Sequence, residues 1–105
     1  MIGIGINDLF GGVAQLHQDL GSKVVWHNLS SFGGHGIVVA GAAGALTNNN
    51  TDIASLGWNL NLLLDSWGID GLNRLVRYGA DVINFSWVSA YYSSSMALAI
   101  QNAFA

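Results

Sequence analysis

Asp8 and His35 are the residues with the greatest capacity for chemistry in this 105-residue chain. His35 follows the loop-forming stretch Ser30–Gly34 and begins the run His35-Gly36-Ile37-Val38-Val39-Ala40-Gly41. A histidine at a glycine-rich turn that opens into a small-residue helix can serve as a general base. Asp8 follows the alternating segment Ile2-Gly3-Ile4-Gly5-Ile6 and Asn7, which puts a carboxylate at the close of the first strand candidate. His27 sits in a strand candidate and reads as structural. His17 sits in a turn. No H-x-x-H or H-E-x-x-H spacing occurs, so catalytic zinc has little support. Cysteine is absent, which excludes disulfides and thiolate chemistry.

The elements that must carry these residues alternate in kind. Met1–Asn7 and Lys23–Leu29 read as strands, and Asp8–Gly12 as a turn. His35–Leu46 is apolar and Gly/Ala-rich, and its three glycines make it an intrinsically poor helix that packing must hold. Thr47–Asp52 is a polar loop. Leu60–Leu64 reads as a short strand. Gly68–Tyr78 has Leu72, Leu75 and Val76 at helical spacing, with Gly79 as its stop. Val82–Trp87 reads as a buried strand, and Ser93–Phe104 as a helix that Ser93–Ser95 can cap. Such alternation predicts one α/β domain: a three-layer, mostly parallel sheet with flanking helices. Ligands of such sheets bind at the carboxyl ends of strands. Asp8, Ser86 and the start of the His35 helix would share that rim.

Composition agrees. Hydrophobic residues make up 51% and charged residues 9%, against roughly 25% charged in an average domain. Mean hydropathy is +0.42, yet no apolar run approaches the roughly 20 residues of a membrane span. Strands buried on both faces account for this bias. Net charge is −3, and the three basic residues, Lys23, Arg74 and Arg77, are too few for a nucleic-acid surface. The N-terminus shows no signal-peptide pattern. The four tryptophans, Trp26, Trp58, Trp67 and Trp87, read as core or cleft walls.

Three segments, in order, resemble the subtilisin-like serine proteases (subtilases). Ile2–Asp8 followed by His17-Gln18-Asp19-Leu20 is similar to that family's strand ending in the catalytic Asp, with H-P-D-L downstream. His35–Gly41 is similar to its H-G-T-x-V-A-G motif, with Leu46-Thr47-Asn48-Asn49 after it. Gly79-Ala80-Asp81-Val82-Ile83-Asn84-Phe85-Ser86-Trp87 resembles its A-D-V-I-N-x-S stretch. The similarity spans nearly the whole chain but covers only the first part of the family's catalytic domain.

The resemblance implies a partial subtilisin-like fold over residues 1–105 and a serine endopeptidase that cleaves polypeptides through an Asp-His-Ser triad. Asp8 and His35 match the first two members. The G-T-S-x nucleophile motif has no match here, so the expectation is a fragment that is inactive alone and needs the rest of the domain. Ser86, Trp87 and Val88 match substrate-contact positions, with Val88 where the family has glycine. Asp19, the Leu46 backbone and Asn48 match positions of a structural calcium site, with the hard oxygen donors that ion prefers. No cofactor is needed for the chemistry. Family members are mostly secreted.

Alternatives stand beside this reading. A strand aligned without gaps places Asn7, not Asp8, at the carboxylate's position. The whole chain also fits a non-catalytic subtilase-like binding or structural module. Gly3-Ile4-Gly5 raises a nucleotide-binding βαβ unit, but Asp8 stands where the third glycine of that motif belongs.

Overall fold

A computed structural model describes residues 1–8, 19–28, 34–47, 55–85 and 92–104. Four strands, β1 (Ile2–Asp8), β2 (Val24–Asn28), β3 (Leu60–Ser66) and β4 (Val82–Phe85), form one sheet in the order β2-β3-β1-β4. All of its pairings are parallel. The helices are α1 (His35–Gly44), α2 (Ile69–Arg77) and α3 (Ser94–Phe104), and a single 3-10 turn, Gly21–Lys23, leads into β2. The chain is thus an α/β protein built on a parallel sheet with helices on both faces.

Strand alternation sorts the side chains into two cores. Ile6, Leu62 and Leu64 join Leu20, Ala40 and Ala45 in the cluster beneath α1, with Ile4, Val24 and Ile37 packed at its edge. Gly44 lets α1 approach closely, since a Cβ there would stand 2.5 Å from Leu60 Cδ1. Gly44, one of the three glycines that make α1 a poor isolated helix, thus gives the side chains of Leu60 and Leu62 room beneath it. On the opposite face Gly5 leaves room for Leu75, Ala80 and Ile83. Gly3 and Gly5 thus lie inside a strand and serve close packing, not a phosphate-binding turn.

Helix α2 packs on this second face against β3 and β1 and also contacts α3. Asp70 lies in its first turn and Arg74 and Arg77 in its last, which complements the helix dipole. Gly79, at φ +95°, ends it. The Ala80 N–H then reaches the Leu75 carbonyl at 3.0 Å, a Schellman-type closure. Ser93 caps α3, its Oγ accepting from the Met96 N–H at 3.1 Å.

The expected strands and helices are all present, with shifted ends, whereas residues 9–12, 30–33 and 48–52 of the expected turn and loops lie outside the described residues. β1 runs on through Asp8 instead of turning there, and β3 runs on through Asp65 and Ser66. β4 is an edge of the described sheet and only half-buried, not a buried strand. β2, the other edge, shifts register at Val25: Val24 is level with Leu62, but Trp26 is level with Leu63. That extra residue moves Trp26 and Asn28 to the α2 face.

Two backbone segments are tied in by side chains. Lys23 Nζ donates to the carbonyls of Trp58 at 2.9 Å and Gly57 at 3.3 Å. The hydroxyls of Thr47 and Ser55 lie 3.2 Å apart and both donate to the Ala45 carbonyl, joining the two ends of the segment between them.

Candidate active site

β1 delivers consecutive polar residues to opposite faces at the carboxyl end of the sheet. Asp8 turns toward α1 and Asn7 toward α2, and both are buried. Here α1, which follows β2, and α2, which follows the neighbouring strand β3, leave on opposite faces. Open α/β sheets bind ligands outside the carboxyl ends of their strands, and Asp8 and the start of α1 lie at that end.

His35 is the first residue of α1, so its side chain lies at the rim just above Asp8. Its Nδ1 is 3.0 Å from both Asp8 Oδ1 and Oδ2. The carboxylate is 3% exposed, whereas the imidazole is 62% exposed. With Nδ1 held by the carboxylate, the favoured neutral form carries its proton there, since a carboxylate can only accept. The unprotonated Nε2 then belongs to a ring largely open to an incoming group. A proton acceptor of that kind, oriented from behind by a buried acid, is chemically able to take a proton from a nucleophile brought to it.

The pleat sets Asp8, and not Asn7, against His35. Asn7 cannot reach His35 from the other face. Its amide instead binds the turn between β3 and α2: Nδ2 donates to the Ser66 carbonyl at 2.9 Å and the Gly68 carbonyl at 3.2 Å, and Oδ1 accepts from the Gly68 N–H at 3.0 Å. The Asp8 carbonyl also accepts from the Trp67 N–H at 2.9 Å.

A cavity of about 910 Å³ opens beside this turn, at the same end of the sheet. Trp67, Gly68 and Asp70 line one side, and Phe85, Met96 and Ile100 the other. Trp67 is therefore a cleft wall, as expected. Trp58 is not: it is 66% exposed, and the residue tied down there is its backbone carbonyl.

The other sequence-derived candidates fare unevenly. Ser86, Trp87, Val88, His17 and Asn48 lie outside the described residues. Phe85 brings the chain to the cavity just before Ser86. Asp19 is buried, and its carbonyl accepts from the Leu46 N–H at 2.7 Å, so these two proposed calcium residues are neighbours. Among the described residues no group of three or more His, Cys, Asp or Glu could hold a metal ion. His27 is exposed on edge strand β2.

One buried polar cluster was not visible in the sequence. Asp65, fully buried, accepts from Arg74 Nε at 2.9 Å and Nη2 at 2.8 Å. It also accepts from the Trp26 indole N–H at 3.2 Å and the Ser66 N–H at 2.7 Å. Trp26 stacks on Tyr78 with ring centroids 3.9 Å apart. With its amide oxygen turned to the guanidinium, Asn28 accepts from Arg74 Nη2 at 3.1 Å. The hydrogen bond to Asp65 holds the Arg74 guanidinium above its ordinary value, with burial opposing. The available signal was slight: an acid at the end of an apolar strand and an arginine nine residues later.

No protein-family model matches this chain, and no curated protein sequence does. No helix among the described residues is long and apolar enough to cross a membrane.

Proposed function

We propose that the chain carries the carboxylate and imidazole of a subtilisin-like serine endopeptidase site, with the serine supplied by polypeptide outside these 105 residues. The observation that carries this reading is Nδ1 of His35 held at 3.0 Å by both oxygens of buried Asp8, on a ring that is itself open. His35 Nε2 would take the proton from the serine hydroxyl as its oxygen attacks the scissile carbonyl. It would then return that proton to the leaving amine, while Asp8 stays ionised and steadies the imidazolium. The cavity beside Trp67 and Phe85 suits an apolar side chain of the polypeptide substrate, and Ser86, Trp87 and Val88 would flank the same chain. Asp19, the Leu46 carbonyl and Asn48 would hold a structural calcium ion, which would raise the melting temperature when added and leave it unchanged in an Asp19→Ala variant.

The test is fluorophosphonate labelling and casein hydrolysis. The 105-residue chain alone should neither label nor hydrolyse. Expressed with its downstream coding sequence it should do both, and His35→Ala should abolish both. Losing the Asp of such a triad costs about 10⁴-fold in turnover, so Asp8→Asn should fall in that range. Activity indifferent to His35→Ala would end the peptidase reading.

A further inference from the structure

We propose that Asn7 is a positioning residue whose side-chain amide fixes the Trp67–Asp70 wall of the cavity, and so sets how that cavity grips an apolar side chain. The second part rests on the reading of the cavity as a substrate site; the first stands on geometry alone.

Asn7 is fully buried, and its amide spends three hydrogen bonds on two residues of one turn. That turn needs such support. Gly68 has φ +115° and ψ −177°, a region open essentially to glycine, and a glycine is free to leave it. Gly68 and its neighbours Trp67, Ile69 and Asp70 form one side of the cavity. Helix α2 is seated close over the same amide: a Cβ on Gly71 would collide with the Ser66 carbonyl oxygen and come within 2.8 Å of Asn7 Nδ2. A side chain of any other shape would leave the Gly68 N–H and two carbonyls without these partners, beneath a helix that cannot settle lower. An apolar residue at position 7 would fill the space but supply none of the three bonds. The side chain that decides the cavity's shape is thus the neighbour of the one that orients His35, on the other side of the sheet.

The experiment compares the wild-type chain with Asn7→Leu by amide hydrogen exchange and by titration with N-acetyl-L-phenylalanine amide as an apolar side-chain probe. The expected result is at least tenfold faster exchange at Gly68 and at least tenfold weaker probe binding by folded variant, while the NMR signals of His35 stay in place. A role confined to stability would lower the melting temperature and leave the probe's affinity unchanged, which would overturn the proposal. Gly68 exchange as slow as in wild type would overturn it too. Failure of the wild-type chain to bind the probe would sink the cavity reading and the functional half of the proposal, with Gly68 exchange still reporting on the positioning. Should Asn7→Leu not fold, the wild-type side chain decides. Its amide protons should exchange at least tenfold more slowly than those of exposed Asn73; equal rates would refute the assignment.

Discussion

A histidine side chain that is mostly exposed normally samples several rotamers and both neutral tautomers. His35 has a fixed partner because the acid beneath it is buried at a strand end and cannot follow the ring into solvent. Replacing that acid by its amide tests the arrangement without altering shape. In Asp8→Asn the amide can turn its N–H toward Nδ1, which then has no reason to keep its own proton. We expect the neutral ring to pass from the Nδ1–H to the Nε2–H form, read directly from long-range ¹H–¹⁵N spectra. An unchanged spectrum would mean that Asp8 does not hold the ring. How far this pair was legible in the sequence is instructive. Residue types and order pointed to it, but the choice between positions 7 and 8 depended on which face of the pleat each side chain takes. That became plain only once β1 was seen to continue through Asp8.

Elements were easier to read than their ends. Apolar strands and the periodicity of α2 come from burial patterns that the sequence displays, and Gly79 announces its own turn. β3 is longer than its apolar run because Asp65 is buried only with the help of Arg74, Trp26 and the Ser66 N–H. Partners from three elements do not show in a local pattern. Arg74→Met should therefore destabilise the fold by about 3 kcal/mol, the low end for stranding one member of a buried pair, because the arginine is 30% exposed. Replacing Asp65 with Leu in the same protein should recover much of that loss, as measured by urea denaturation followed by tryptophan fluorescence. A second element-level prediction opposes helix propensity. Alanine is worth about 1 kcal/mol over glycine in a helix interior. Gly71→Ala should nonetheless lower stability by about 1–3 kcal/mol, because the methyl meets the Ser66 carbonyl and forces α2 off the sheet. A stabilised variant would show that the close seating of α2 is not tight.

At the scale of the whole molecule, few charges leave few ways for pH to act. Arg74 is raised from an already high value, so its contribution is complete below the ordinary arginine range and flat at every practical pH. Lys23 behaves differently: burial pushes its ammonium below its ordinary value of 10.5. Between the folded value and 10.5 the unfolded chain binds the extra proton, so stability must rise with pH across that window. We expect the wild-type chain to gain on Lys23→Met as pH climbs toward 10.5. Urea denaturation at a series of pH values checks this, and parallel profiles would contradict it.

The extra residue at Val25 carries an implication for anyone who lines this strand up with another. Trp26, His27 and Asn28 are in phase with Leu63, Leu64 and Asp65 only because one position is skipped over. In a relative without that insertion, ungapped matching would pair an indole with an imidazole that points the other way. The three residues beyond the kink must therefore be inherited, lost or transplanted together with it, as a single block.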